Sequence, residues 1–69
     1  MKPDWENAPS WANYLAISRC GAWAWYECCP QYEAGEWHAL SGTRWHIAIW
    51  IDSSEDIPYG YDALEGRPL

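Results

Sequence analysis

Two stretches of alternating apolar positions dominate the chain. From Ala22 to Cys28, Trp23 and Trp25 fall on one face of an extended strand, and Ala22, Ala24 and Tyr26 fall on the other. From Arg44 to Ile51, Trp45, Ile47, Ile49 and Ile51 line one face, and His46, Ala48, Trp50 and Asp52 the other. The β-branched isoleucines at alternate positions favour strand over helix here. Tyr14 to Ser18 predicts a first strand, weakened by Ala16, and Glu36 to Leu40 a short third one carrying Trp37. Cys20-Gly21 and Ser41-Gly42 read as tight turns, Gly35 punctuates a loop, and Pro30 ends the second strand or places it at an edge. Pro9 biases Ala8 away from helix, so Asp4 to Pro9 reads as an irregular lead-in. Asp52 to Asp56 reads as an acidic loop, with Pro58 and Gly60 continuing the break. Tyr61 to Glu65 is compatible with a single helical turn before Gly66 and Pro68 stop it. The predicted fold is mostly β: one small antiparallel sheet of three or four strands, short irregular termini and at most one helical turn near the C-terminus.

Length makes this a single Trp-rich domain, residues 1–69, because two halves would each be too small to hold a core. It also leaves little room for a catalytic cleft with a supporting shell. Aliphatic residues are scarce, with four Leu, five Ile and neither Val nor Phe, a level at which disorder is the ordinary guess. Seven Trp and five Tyr reverse that guess, since each buries on the order of 150–250 Å² and a core can be built from about half of them.

Charge narrows the partners. Ten acids against four bases leave a net charge of −6, and four scattered bases are no footprint for phosphate backbones or for an anionic membrane surface. Neither direct nucleic-acid binding nor membrane binding is expected. The acidity itself reads first as solubility for an aromatic-rich surface, and second as an acidic face aimed at a basic patch on a partner. No apolar run is long enough to span a bilayer, and Met1 to Asn7 lacks the apolar stretch of a secretory leader. Three cysteines are an odd number without framework spacing, which fits a reducing, intracellular setting.

Candidate chemistry is thin. Cys20, Cys28, Cys29, His38 and His46 supply the ligand types for zinc, but the cysteines are eight apart or adjacent and the histidines eight apart. Zinc sites draw ligand pairs from shorter spacings that set two donors on one turn. Small buried thiols and surface imidazoles are the plainer reading. No local signature accompanies a thiol–histidine pair, and Glu33, Glu36, Glu55 and Asp56 lie in predicted loops where solvated charge explains them. The glycines are single turn residues, not a phosphate cradle. No catalytic residue, metal or cofactor is expected.

The tryptophans are the informative set. Core is the first expectation for any one of Trp23, Trp25 and Trp45, yet Trp45 and Trp50 fall on opposite faces of their strand. One small sheet can hardly bury both faces, so some indoles are expected at the surface or under a partner, where Trp and Tyr are enriched. Trp23, Trp25, Trp37, Arg44 and Trp50 are the candidate binding residues. Arg44, beside Trp45, is placed either to neutralise a phosphate in a Trp-lined groove or to pair with a carboxylate such as Glu27 or Glu36.

Several segments carry a family likeness. They are Ala8-Pro9-Ser10-Trp11-Ala12-Asn13-Tyr14-Leu15-Ala16, Gly21-Ala22-Trp23-Ala24-Trp25-Tyr26-Glu27, Gly35-Glu36-Trp37, Gly42-Thr43-Arg44 and Ala63-Leu64-Glu65-Gly66-Arg67-Pro68. Together they resemble a loose group of short, Trp-rich accessory proteins of tailed bacteriophages and prophages. The chain departs from that pattern at Ser18-Arg19-Cys20 and in the adjacent Cys28-Cys29. The resemblance implies a phage accessory protein in the host cytoplasm. Such a protein would act by stoichiometric binding to a host protein, as in host takeover or anti-defence inhibition. The residues leave open two other expectations: sequestration of a nucleotide or signalling small molecule between tryptophans, and a structural component that forms a homo-oligomer.

Overall fold

The computed structural model describes residues 2–51 and 63–68. Among these described residues six short strands follow a 3-10 turn at Trp5–Asn7: β1 (Tyr14–Ile17), β2 (Ala22–Tyr26), β3 (Gln31–Glu33), β4 (Glu36–His38), β5 (Trp45–Trp50) and β6 (Leu64–Gly66). They form a four-stranded antiparallel sheet in the order β5-β2-β1-β6 and a separate β3-β4 hairpin. Mostly β, as the alternation predicts, the fold adds two strands to the expected ones. β3 is an isolated Gln-Tyr-Glu, too short for alternation to stand out. β6 replaces part of the helical turn expected at Tyr61–Glu65, because Leu64, Glu65 and Gly66 pair with Ala16, Leu15 and Tyr14. Tyr61 and Asp62 lie outside the described residues, as do the Asp52–Asp56 loop, Pro58 and Gly60. Ala63, just before β6 and within that expected turn, is 3-10 helical. The N-terminal 3-10 turn is capped by the Asp4 carboxylate, which accepts from the Glu6 N–H at 3.0 Å.

β1 and β2 are central strands with a neighbour on each side, and they supply most of the core. Leu15 and Ile17 share a face with Trp25 and Trp23, their partners across the ladder. The N-terminal segment closes this face. Trp5 tilts against Trp25 with ring centroids 4.9 Å apart, and its indole N–H donates to the Glu65 carboxylate, which also holds Lys2. Full burial of Leu15 and Ile17 contributes on the order of 1.5–3 kcal/mol each.

Ala16, Ala22, Ala24 and Tyr26 form the opposite face. The β3-β4 hairpin leans over one side of it and is clipped to the end of β1. Trp37 donates its indole N–H to the Ile17 carbonyl at 3.1 Å, and its backbone N–H to the Ser18 hydroxyl at 3.2 Å. The Arg19 N–H donates to the Gly35 carbonyl at 2.9 Å, and Tyr32 tilts onto Trp37 at 4.9 Å. These two short pieces of chain, one per face, help bury Trp25 and Trp37, while Trp45 and Trp50 of the outer strand stay exposed.

β5 breaks the expected alternation. Trp23 pairs with Ile49 and Ala24 with Ile47, so Ala48 is an extra residue, a β-bulge. The inserted position reverses the parity of everything after it. Trp50 pairs with Ala22 and Trp45 with Tyr26, which places the two indoles on the same face instead of opposite ones. Among the described residues no helix is long and apolar enough to cross a membrane.

Candidate functional site

On the alanine face the hairpin and β5 stand apart and leave a groove of about 400 Å³. Ala22 and Ala24 make its floor, and their single methyl groups leave depth that larger side chains would fill. Trp45, Ile47 and Trp50 of β5 form one wall; Glu36, Trp37, His38 and Ala39 form the other. Ser18 and Cys20 line the groove together with Tyr26. Two of these indoles are open to solvent: Trp45 is 54% exposed and Trp50 63%. Trp45 is held on one side by stacking against Tyr26, with centroids 6.4 Å apart and planes 16° from parallel. Burial pushes the Tyr26 hydroxyl up to about 12, with the nearby Cys20 thiol adding to the shift, so this ring stays neutral.

The five candidate binding residues separate. Trp23, Trp25 and Trp37 are core, at 8%, 3% and 6% exposure. Trp23 and Trp25 lie on the face away from the groove, Trp25 against Trp5 of the N-terminal segment. Trp37 contributes a groove wall from a buried position, anchored through its indole N–H. Arg44 is exposed but does not line the groove. Its Nη2 and Nε donate to Glu27 Oε2 at 2.7 and 3.3 Å, while its backbone N–H donates to Glu27 Oε1 at 3.1 Å. Its guanidinium also lies 5.3 Å from the centre of the Trp11 ring. Of the two roles the sequence left for Arg44, the carboxylate partner is the one present. That pairing holds the Glu27 carboxyl below the ordinary carboxylate range. Trp50 lines the groove from an exposed position.

Trp45 is the groove residue that sequence reasoning missed. Alternation grouped it with three isoleucines as an inward face, and no local signal announces the bulge that follows. Trp23 carries a different peculiarity: among the described residues its buried indole N–H finds no hydrogen-bond acceptor. Its ring is kept by packing against Ile17 and Ile49 on the same face, at the cost of that unmet donor.

All three cysteines are free thiols at exposed positions, which corrects the expectation that they are small buried groups. Cys20 lies in the turn before Gly21, and Cys28 and Cys29 follow β2. The Cys29 thiol donates weakly to the Pro30 carbonyl at 3.7 Å. Among the described residues no three His, Cys, Asp or Glu side chains gather in a geometry that holds a metal ion. Compared with protein-family models, with curated proteins and with solved structures, the chain matches none.

Proposed function

We propose that this chain is a small phage-type accessory protein that works by stoichiometric binding to a host protein in the host cytoplasm, without catalysis. The observation that carries the reading is the groove, where two half-open indoles on one face flank a floor of alanine methyls. Exposed tryptophans around a recess are the residues that anchor protein interfaces, because each brings a large rigid surface with few torsions to freeze. The net charge of −6 and Glu36 on the groove wall favour a partner that is basic around the contact. The likeness of the sequence segments to phage accessory proteins supplies the setting. Nucleotide sequestration loses its phosphate anchor, since Arg44 is engaged by Glu27 and stands outside the groove.

The test is capture of a defined protein from bacterial lysate by the tagged chain, repeated with Trp45→Ala and Trp50→Ala. Both side chains are largely exposed, so the variants keep the fold. Each is expected to weaken the captured complex by about 2 kcal/mol, some thirtyfold in dissociation constant. Gln31→Ala, exposed on the far strand of the hairpin, is the control that keeps it. Equal capture by both tryptophan variants sinks the proposal.

A further inference from the structure

β5 is the outermost strand of its sheet, and its outward edge has no partner strand among the described residues. Its sequence, Trp-His-Ile-Ala-Ile-Trp, contains no Lys, Asp, Glu or Pro, the residues that usually guard an open edge. Two backbone bonds tell which groups face outward. The Glu27 N–H donates to the Arg44 carbonyl and the Ile51 N–H to the Gly21 carbonyl, both at 2.9 Å, so Arg44 and Ile51 aim their groups inward at the β2 side. Successive residues of an antiparallel strand aim at opposite edges. Trp45, next to Arg44, and Trp50, next to Ile51, therefore turn their N–H and C=O outward along the open edge.

In a regular strand two residues at this spacing would differ both in face and in edge. The bulge at Ala48 makes Trp45 and Trp50 alike in both, which leaves the strand with ends that match under a half-turn. We propose that β5 pairs antiparallel with β5 of a second copy of this chain, giving a two-fold dimer with a continuous eight-stranded sheet. In this register Trp45 of one copy stands opposite Trp50 of the other as a hydrogen-bonded pair, with both indoles on the groove side, and His46 stands opposite Ile49. A two-fold contact needs a self-complementary patch, and this near-palindromic strand supplies one.

Charge and area point the same way. Two chains of net charge −6 repel, and they approach at least cost along a stretch that carries no acid. At 54% and 63% exposure the two indoles of each copy offer on the order of 300 Å² of aromatic surface, taking roughly 250 Å² for a full side chain. Both copies together thus bring on the order of 600 Å² before the strand backbones are added, and a specific interface needs about 1,000 Å². The dimer goes beyond the host-binding reading and stands without it. Its effect on the site is to set two grooves side by side across the axis.

Sedimentation and light scattering on the intact chain test the proposal, with a concentration-dependent rise to twice the 8.0 kDa monomer expected. A mass that stays monomeric up to about 1 mM overturns it and leaves the groove to another partner. Trp45→Glu and Trp50→Lys are each expected to weaken the dimer at least tenfold. The double variant is expected to recover part of the loss, since the carboxylate introduced in one copy then faces the ammonium introduced in the other. A dimer that survives both single changes is not built on β5, and a double variant weaker than either single one rules out this register. Amide exchange supplies a readout independent of mutation. The Trp45 and Trp50 N–H groups are expected to be protected at high protein concentration and to exchange freely at low concentration; exchange unaffected by concentration overturns the pairing.

Discussion

Trp37 shows how one side chain serves both stability and site. Its ring is buried between the hairpin and the sheet, its indole N–H meets a carbonyl of β1, and its edge walls the groove. Replacing it with Phe keeps most of the apolar contact and leaves the Ile17 carbonyl without that donor. The expected loss in urea unfolding is about 1–2 kcal/mol. Truncation to Ala adds the cavity and is expected to cost about 3–5 kcal/mol, a large share of what so small a domain has. A Trp37→Phe variant as stable as the parent chain would show that the hydrogen bond contributes nothing, and equal losses for the two variants would show that ring packing adds nothing beyond it. The contrast with Trp45 and Trp50 is one of position: neither of these indoles is enclosed, so their removal is expected to touch binding far more than stability.

At the scale of the element, the turns and the bulge set the register. Gly21 closes the β1-β2 turn at φ +95°, and an added Cβ there would come within 2.9 Å of the Ile51 carbonyl oxygen. That oxygen belongs to the backbone and cannot swing away. Gly42 has a similar φ of +83° with open space around it. Gly42→Ala is therefore expected to cost only left-handed backbone strain, about 1–2 kcal/mol, whereas Gly21→Ala adds a steric clash and is expected to cost more. Thermal midpoints of the two variants check the order, and reversal of it would mean that the β2-β5 end yields to the added methyl. The bulge at Ala48 sets register within the strand and not at a turn. Its consequence is to turn Trp50 onto the groove face, where a regular strand would have placed it on the face away from Trp45.

For the whole molecule, the joint between the two ends of the chain is the feature with a measurable pH signature. Glu65 of β6 accepts from Lys2 and from the Trp5 indole, and those partners hold its carboxyl below its ordinary value of 4.5. Glu27 is lowered likewise by Arg44. A carboxyl with a depressed folded-state pKa stabilises above its unfolded value and loses that contribution as pH falls through the folded one. Tyr26 has the opposite sign. With its hydroxyl raised from 10.0 to about 12, its contribution is complete below pH 10 and fades as pH climbs through about 12. Stability measured against pH is thus expected to hold a plateau between the two limbs. Glu65→Gln should shrink the acid limb without moving the alkaline one, and an unchanged acid limb would remove Glu65 from this role. The same joint holds Trp5 against Trp25, which helps make that indole core.

Strand identity and β class were legible in the chain because alternation and β-branching act locally, as at Trp23/Trp25 and Ile47/Ile49. The surface candidates were less so: burial depends on what lies over a face, and Trp5 reaches Trp25 and Glu65 from the far end of the chain. The Arg44–Glu27 pair was within reach of sequence reasoning, since only charge type had to match. Trp45 was not, because one extra residue at Ala48 changes its relation to Trp50 and leaves no mark in the local pattern. That strands form, and that aromatic rings must make the core, follows from local pattern and composition. Which rings are covered follows from long-range contacts and from the register of one ladder.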